Sequence, residues 1–595
     1  MAWAVFGLSG LKAVSCVTKQ FALVSGIMTE SNGTLPAKQY AVQLVGPDQL
    51  AINRAKDVPQ PKSHEILAKV EAVGLCFSDL KLLKQFDQHA RKSEIVSGIE
   101  PDVLADIQSY VPGAKPTVPG HELVCRIVAV GDAVQRHKVG ERCLVQTDYR
   151  DLKTAGSNAA FGYNFEGGLQ EYVIMDERVV TDSKGERFLI PVEEDQSASA
   201  IALVEPWACV EDSYVNEERN TIRSGGRLLV VAASGRKVRG IENAFGSNGP
   251  PAEIHYACAD SGQVEELLKL DPLAQAVVDL SQLKDEAYDD ILYFGTERDV
   301  LNVLNDKLGK GGIMNVILGG GRIDAPVSIG VGRIHYGLTR WIGTQGLRAD
   351  ESYAMIPKTG EIRANEHVLV VGAGGPMGQM HVLRNLSTGL PGVSVVGTDF
   401  DNDRLNGLRK KAEPIARQND ARLDLVNTQE RQVTGPFSYI AIMAPVPALV
   451  AKAVEDAAPG AIINIFAGIP APVKHDMDLD MIIEKRCFLF GTSGSSIRDM
   501  MIVLEKVQTG RLSTNASVDA ISGMAGATDG IRAVENRTLA GKIIVYPCLH
   551  ETGLIPLSEL KDHFPTVADK LEDGQWTAAA EQELVRQSDC HRRTE

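Results

Sequence analysis

The sequence predicts an α/β protein in which a mostly-β domain precedes two tandem, doubly wound parallel sheets. Three observations support this fold class: a nucleotide-binding pattern at residues 368–399, a weaker repeat of that region earlier in the chain, and short β-branched segments before both. A chain of 595 residues has room for about three or four domains. We expect an N-terminal extension, the β domain, two sheet domains, a segment that returns to the β domain and a C-terminal tail, at residues 1–37, 38–222, 223–347, 363–495, 496–548 and 549–595.

The charge and the cysteines limit the classes of function. A formal charge of −16 leaves no cluster of Lys and Arg that could neutralise a phosphate backbone, so nucleic-acid binding is not expected. No apolar run approaches the roughly 20 residues of a membrane span, so no membrane contact is expected either. The nine cysteines are scattered and never spaced C-x-x-C, which indicates a reducing cytoplasm and argues against a disulfide scaffold or a four-cysteine zinc lobe.

Residues 368–399 have the layout of a dinucleotide-binding βαβ unit. An apolar strand leads into a glycine turn, a helix, a second apolar strand and an acid. Small turn residues let the backbone approach a pyrophosphate, which accepts hydrogen bonds from the N-terminus of the helix. The turn has one glycine more than the usual G-x-G-x-x-G. The predicted cofactor-binding residues are Gly372, Gly374, Gly375, Met377, Gly378 and Asp399.

The predicted choice between NAD and NADP depends on Asp399. A carboxylate at this place accepts hydrogen bonds from the ribose hydroxyls and repels a 2′-phosphate, which favours NAD over NADP. Asp401 and Asp403 add negative charge nearby. Each of the three aspartates could instead cap the following helix, since Asp is a favoured N-cap residue.

An internal repeat indicates a duplicated α/β domain. IRSGGRLLVV at 222–231 resembles IRANEHVLVV at 362–371, and segments further on match at an offset of 148 residues. The first copy carries Arg236, Lys237 and Arg239 where a pyrophosphate would need close backbone approach, and Cys258 stands opposite Asp399, with Asp260 two residues later. We expect this copy to be degenerate and without dinucleotide. Its basic residues at a helix N-terminus could instead bind a phosphate or an acidic partner.

Metal-competent residues follow three segments of the β domain and its helix. Cys76 lies in GLCFSD, His121 and Glu122 lie in PGHEL, and Glu205 lies in VEPWAC. Each motif alone has an ordinary explanation, since a lone cysteine is more often a core residue and a lone Gly-His-Glu is more often a turn. Together they offer a thiolate, an imidazole and carboxylates, which is a zinc-competent set with room for an open position.

These motifs, with VPGHELVCRIVAVGDAV and FEGGLQEYV, resemble the GroES-like N-terminal domain of zinc-dependent medium-chain dehydrogenases. VEPWACV resembles the polyol and threonine dehydrogenase branch, and the nearest likeness is to the sorbitol dehydrogenase and L-sorbose-1-phosphate reductase group, over about residues 38–222 and 363–548. The resemblance implies Cys76, His121 and Glu205 as ligands of one catalytic zinc, without a structural zinc. It further implies that Glu122 is an exchangeable carboxylate, that Ser78 takes the alcohol proton and that Asp79 orients a ligand.

The implied activity is hydride transfer between NAD(H) and a polyol, sugar alcohol or ketose, phosphorylated or not, by a cytoplasmic homo-oligomer (a dimer or a tetramer). Two departures bear on this. The relay histidine of the family is Lys81 here, and the interval between Cys76 and His121 contains an insertion at 88–118 that is either a solvated loop or shapes the substrate site. The alternatives are a non-catalytic binding or assembly protein on a dehydrogenase skeleton and a metal-independent reductase of the quinone type.

Both chain ends carry weaker patterns. Residues 1–27 are interpreted as an unstructured extension, with Met28 as the alternative start. The C-terminal stretch is expected to be a charged helix with a polar tail. Cys590 and His591 at its end fit an exposed terminus better than a metal site.

Overall fold

The computed structural model describes residues 21–24, 27–30 and 35–588. The N-terminal part is a β domain with four helices. Its strands are β1 Phe21–Val24, β2 Ile27–Glu30, β3 Lys38–Gly46, β4 Gln49–Asp57, β5 Glu65–Gly74, β6 Ile95–Ser97, β7 Glu122–Val130, β8 Arg142–Val145, β9 Asp148–Thr154, β10 Asn158–Ala160, β11 Tyr172–Asp176 and β12 Leu189–Pro191. Its helices are α1 Phe77–Gln85, α2 Pro101–Asp106, α3 Ala198–Ala202 and α4 Val204–Val215.

The first copy of the repeat follows. Its elements are β13 Arg227–Ala232, β14 Glu253–Cys258, α5 Ser261–Leu270, β15 Gln275–Ala276, β16 Tyr288–Phe294, α6 Arg298–Lys307, β17 Leu308–Ile317, β18 Val327–Ile329, α7 Val331–Tyr336, β19 Arg340–Thr344 and α8 Asp350–Tyr353. The second copy comprises β20 His367–Val371, α9 Pro376–Leu386, β21 Ser394–Asp399, α10 Asn402–Gln418, β22 Arg422–Asn427, β23 Phe437–Ile442, α11 Pro447–Asp456, β24 Ala457–Ile465, β25 His475–Met477, α12 Leu479–Lys485 and β26 Phe488–Phe490.

The chain then returns to the β domain. This part contains α13 Ile497–Gln508, β27 Val518–Ser522, α14 Ala527–Asn536, β28 Lys542–Val545, β29 Ile555–Pro556, α15 Leu560–His563, α16 Pro565–Ala568 and α17 Ala578–Gln587. The strands join in the order β1-β2-β7-β5-β28-β27-β29, with β11 beside β5 and β8 and β12 beyond β7. Because β28 pairs with the end of β5, a residue of the returning segment lies beside the strand that leads to Cys76.

The predicted fold class is confirmed. Each copy forms a six-stranded sheet whose interior pairs are parallel, and both sheets have the same order, β15-β14-β13-β16-β17-β19 and β22-β21-β20-β23-β24-β26. This is the doubly wound order, in which ligands bind outside the carboxyl ends of the strands. No helix within the described residues is long and apolar enough to cross a membrane.

The two copies contact each other through equivalent elements. Strand β18 pairs antiparallel with β25, its own equivalent at the offset of 148, and the pairing is symmetric about Ser328 and Asp476. A Cβ on Gly491 would lie 2.9 Å from His335, and one on the equivalent Gly343 would lie 2.6 Å from Ile483, the equivalent of His335. Such a contact is isologous, as in a two-fold dimer, but here both partners belong to one chain.

The first copy departs from the predicted helix-bearing layout. Within its described residues there is no helix of the α9 type between β13 and β14, only a loop and one short 3-10 turn at Glu242–Ala244. The Arg236 guanidinium donates to the carbonyl of Leu318 at 2.7 Å, and Asp260 accepts from the N–H of Gly235 at 2.6 Å. The alternative of a phosphate bound at a helix N-terminus is therefore wrong, because that helix is not formed and Arg236 is engaged by the sheet edge.

Both chain ends are more structured than the sequence indicates. Strand β1 lies inside the stretch interpreted as unstructured, and it pairs with β2, which pairs with β7. The predicted C-terminal helix is α17, but it packs into the core through Leu584, and Glu581 accepts from the N–H groups of Ala198 and Ser199. Residues 1–20 and the Cys590–His591 pair lie outside the described residues. Among the described cysteines, six are free thiols and Cys548 is disulfide-bonded.

Candidate active site

Cys76 lies where β5 ends and α1 begins. It is the N-cap residue of α1, with extended backbone at φ −124° and ψ 153°. Its N–H donates to Asp79 Oδ2 at 3.0 Å, and the Asp79 carboxylate thereby caps the first turn of the helix. The Cys76 thiol makes a side-chain hydrogen bond with His121, which places it on the pocket side.

Asp79 also holds His121. Its Oδ1 accepts from the N–H of Gly120 at 3.1 Å and lies 3.1 Å from His121 Nδ1. Gly120 has φ +92°, and a Cβ there would meet Leu169 and Val73 within 3.0 Å. The carboxylate fixes the orientation of the imidazole and directs the other ring nitrogen, Nε2, to the pocket, as carboxylates beside metal-binding histidines do.

The donor atoms of Cys76, His121 and Glu122 lie within 4.8 Å of one another. Glu122 is fully buried, and its Oε2 makes no hydrogen bond within the described residues. A buried carboxylate oxygen without a partner is costly unless a cation or donor meets it. The orphaned oxygen beside a thiol and an imidazole therefore fits a zinc ion in both charge and ligand type.

The second oxygen of Glu122 is held by a residue that the sequence analysis missed. Lys542, at the start of β28, places Nζ 2.6 Å from Glu122 Oε1, and both side chains are buried. Burial works to lower the pKa of Lys542, but Glu122 and Cys76 outweigh it and raise that pKa. Lys542 is 420 positions from Glu122, and its only sequence signal is a lone cation at the start of an apolar strand.

Glu205 lies in the first turn of α4 and lines the same pocket. It is buried, and it is not a member of the close group of donors formed by Cys76, His121 and Glu122. Burial raises the pKa of Glu205 to about 7, with His121 opposing and Glu122 adding to the rise. Cys209, one turn along α4, has its Sγ 3.8 Å from Glu205 Oε1.

His121 and Asp79 shift each other's pKa values. Burial works to lower the pKa of His121, but the charge of Asp79 outweighs it, and that pKa lies well above its usual value. Burial works to raise the pKa of Asp79, and His121 reverses this, so the pKa of Asp79 is lowered. A divalent cation at Nε2 would replace the second imidazole proton, which makes metal binding a proton-releasing step.

Ser78 and Lys81 occupy the exposed side of α1. Ser78 is half-buried, and its hydroxyl makes no hydrogen bond within the described residues. Lys81 is exposed, with Nζ 5.8 Å from the centre of the Phe77 ring. The hydroxyl is thus free to exchange a proton with a ligand in the pocket.

The cofactor turn uses its glycines for different reasons. Gly372 has φ +83°, and a Cβ on Gly374 would lie 2.7 Å from Asp399. A Cβ on Gly378 would lie 2.2 Å from the carbonyl of Gly372, so α9 packs directly on the turn. Gly375 is the N-cap of α9, and the nearest atom to a Cβ there is 3.9 Å away. This open cradle at a helix N-terminus is where a pyrophosphate would lie. Met377 is half-buried in the first turn of α9.

Asp399 closes β21 beside this cradle. Its Oδ2 accepts from the N–H of Gly374 at 3.0 Å, and its Oδ1 accepts from Phe400 at 2.9 Å. Asp401, not Asp399, caps α10, since its Oδ1 accepts from Asp403 and Arg404. Asp399 is therefore the one of the three acids that faces the turn, and the capping role falls to Asp401.

Residues 62–184 match the family described as the alcohol dehydrogenase GroES-like domain. That match covers the segments that carry Cys76, Asp79, His121 and Glu122. This match and the relatives named below support the resemblance to the medium-chain dehydrogenase/reductase superfamily. The chain is an oxidoreductase of the alcohol dehydrogenase type.

The curated relatives of this chain are distant. It is 23% identical to mannitol-1-phosphate 5-dehydrogenase of Aliivibrio fischeri over 363 residues, which covers 56% of this chain and 80% of the relative. Identity to L-sorbose 1-phosphate reductase of Klebsiella pneumoniae is also 23%, over 53% of this chain and 79% of that protein. Among solved structures, 2R,3R-butanediol dehydrogenase from Bacillus subtilis aligns with a TM-score of 0.48 and 14% identity, over 86% of this chain and 99% of that chain.

Proposed function

We propose that the protein transfers hydride between NAD(H) and a secondary alcohol or ketone, with one zinc ion at the pocket of Cys76, His121 and Glu205. The substrate class is a polyol, sugar alcohol or ketose. The orphaned Oε2 of Glu122 between a thiol and an imidazole is the observation that carries this proposal. The open cradle at Gly375 beside Asp399 supports a dinucleotide in the second copy.

The residues of the chain have separate tasks. A bound zinc ion would polarise the substrate oxygen, and NAD would accept or deliver the hydride. Ser78 relays the proton: its oxygen accepts the proton of the alcohol as its own hydroxyl proton passes to solvent water, and the transfer runs in reverse for the ketone. No described residue engages this hydroxyl. Asp79 keeps the imidazole of His121 in place, and Lys542 holds Glu122 by its Oε1 so that Oε2 stays directed to the pocket.

Variants of the proposed ligands test the metal. Cys76→Ser and Glu205→Ala should each lose zinc and turnover, because three protein ligands are the minimum of a catalytic zinc site. Glu122→Gln should retain zinc, since Glu122 is proposed as exchangeable. Zinc content by elemental analysis, beside NADH oxidation, checks both. Full zinc in the Glu205 variant together with loss of zinc in Glu122→Gln would make Glu122 the third ligand instead.

A non-catalytic binding protein is the second candidate. It is motivated by the first copy, in which the loop that corresponds to the cofactor turn is held by Arg236 and Asp260. That candidate predicts binding of NADH without oxidation by any ketose of a broad panel. Stoichiometric zinc with turnover would exclude it.

A further inference from the structure

The pocket mouth carries two cations that the proposed chemistry does not use. Lys81 is on the exposed side of α1, and Arg91 belongs to the insertion between Cys76 and His121. Within the described residues Lys81 makes no ion pair, and the Arg91 guanidinium donates no hydrogen bond and has only a 3.4 Å ionic contact with Asp148. In a chain with a net charge of −16, an unpaired Lys81 and a weakly paired Arg91 at one pocket need an explanation.

The backbone around Arg91 is anchored. The buried Lys92 donates from Nζ to the carbonyl of Lys115 at 2.9 Å and also to Val111, and Thr154 Oγ1 donates to the carbonyl of Ala90 at 2.9 Å. The N–H of Arg91 donates to His89 Nδ1 at 3.2 Å. The insertion is therefore pinned at this turn, and it presents Arg91 at a fixed place.

Tyr163 links this turn to the metal pocket. The Arg91 guanidinium lies 5.8 Å from the centre of the Tyr163 ring, and the centre of the His121 ring also lies 5.8 Å from it. Arg91 is therefore within twice that distance of a proposed zinc ligand, a span that a sugar chain with a terminal group can bridge. His89 is also beside Tyr163, at 5.1 Å between ring centres.

The charges of Lys81 and Arg91 both act on His89. Burial, together with the charges of Arg91 and Lys81, lowers the pKa of His89 to about 4, so both cations are near this imidazole. The charge of Arg91 also reaches Glu205 and that of Lys81 reaches His335, which lies on α7 of the first copy. His89 is neutral at pH 7 and can donate a hydrogen bond without adding charge.

We propose that Lys81 and Arg91 form an anion subsite at the mouth of the metal pocket, which binds the terminal phosphate of a phosphorylated polyol or ketose. This inference rests on the proposed function. The Arg91 guanidinium donates no side-chain hydrogen bond within the described residues, and its ionic contact with Asp148 is long at 3.4 Å. Such a guanidinium matches the oxygens of a phosphate monoester, and an ammonium adds a second positive charge. Lys81 is thus a residue of substrate recognition at the place where the family has a proton-relay histidine.

The test compares a ketose with its terminal phosphate, and measures the binding of inorganic phosphate by calorimetry. The full-length protein should show a kcat/KM for the phosphate ester about tenfold or more above that for the free sugar, and should bind phosphate one to one. In Lys81→Gln/Arg91→Gln that ratio should fall by about tenfold, and phosphate binding should weaken to match. Lys84→Gln is the matched control, since Lys84 lies on the same helix but pairs with Asp48 and Glu535.

Each outcome bears on one proposal. Equal kcat/KM for ester and free sugar in the unaltered protein overturns the subsite and leaves the proposed function intact. A preference for a sugar acid over the phosphate overturns it as well. If neither sugar is turned over, yet phosphate binds and the double variant loses it, the proposed function fails and the subsite stands. Circular dichroism and a thermal melt of the double variant exclude misfolding as the cause.

Discussion

Asp79 joins three otherwise separate parts of the site. Its two oxygens accept from the N–H of Cys76 and the N–H of Gly120, and they hold Nδ1 of His121. Glu122 depends in the same way on Lys542. The sequence motifs predicted Cys76, Asp79, His121 and Glu122, because these residues lie in short contiguous segments. Lys542 and Tyr163 could not be predicted, since only the fold brings them to the pocket.

The role of the Asp79 charge can be tested by substitution. Asp79→Asn should lower zinc affinity and kcat by about 10- to 100-fold, because the charged partner of a metal-binding imidazole is lost. Zinc retained after dialysis and NADH oxidation are the measurements. Asp102→Asn, on the exposed face of α2, is the control and should behave as the unaltered protein. Unchanged zinc in Asp79→Asn would contradict the role given to this residue.

A buried histidine should make stability depend on pH. Burial, with Arg384 nearby, lowers the pKa of His381 to about 3, and its Nδ1 lies 2.7 Å from the Tyr214 hydroxyl. Because the folded value is below the unfolded value of about 6.5, the unfolded chain binds more protons between these two pH values. His381 therefore contributes full stability above about pH 6.5, and this is lost at up to about 1.4 kcal/mol per pH unit as the pH falls.

Urea unfolding of the full chain between pH 7.5 and pH 5 measures this dependence. His381→Gln should reduce the pH dependence of the free energy of unfolding by the contribution of one histidine. Burial also lowers the pKa of His335 to about 4, and this histidine still contributes to the pH dependence in that variant. An identical slope in the variant and the unaltered protein would show that His381 is not held neutral.

At the scale of elements, the cofactor turn shows why sequence spacing alone is a weak guide. The extra glycine of the motif makes the turn one residue longer, and Gly374, Gly375 and Gly378 then meet three different surroundings. The first copy shows the opposite case. Its repeat predicted a strand, a helix and a second strand, but Arg236 and Asp260 stabilise a loop where the helix was expected. Propensity could not reveal this, because the partners of Arg236 are the carbonyls of Leu318 and Gly319, which follow β17 far along the chain.

Two glycine substitutions separate cofactor binding from folding. Gly375→Ala should leave stability unchanged, since its φ of −81° suits alanine and no atom is close, but it should weaken NAD binding by about tenfold or more. Gly378→Ala should destabilise the fold, because its Cβ meets a backbone carbonyl. Fluorescence titration with NADH and a thermal melt distinguish them, with Gly407→Ala on α10 as the control. Unaltered NADH affinity in Gly375→Ala would place the pyrophosphate elsewhere.

The whole molecule is an internal pair of α/β domains together with one GroES-like domain. The repeat predicted the duplication, and the offset of 148 identifies the equivalent residues. It could not predict that the copies would pair through β18 and β25, because a self-complementary contact leaves no local pattern. With that face of the second copy covered within the chain, any homo-oligomer of this protein must use another surface.

The contact between the copies should contribute to the stability of the entire chain. A Cβ on Gly332 of α7 would lie 2.0 Å from the carbonyl of Pro470 in the second copy, so Gly332→Val should lower the melting temperature by several degrees, about 2 kcal/mol or more. Gly262→Ala on α5, with no atom within 4 Å, should be neutral or slightly stabilising. Equal melting temperatures for both variants would mean that the pairing of the copies adds nothing.

Chelation most directly tests the proposal that this chain is a zinc- and NAD-dependent oxidoreductase. NADH oxidation is measured on the full-length protein with a panel of ketoses and their phosphates, before chelation, after dialysis against a strong chelator, and after zinc is restored. We predict oxidation that is lost on chelation and recovered with about one zinc ion per chain. Oxidation that continues undiminished in the chelated protein would contradict the account.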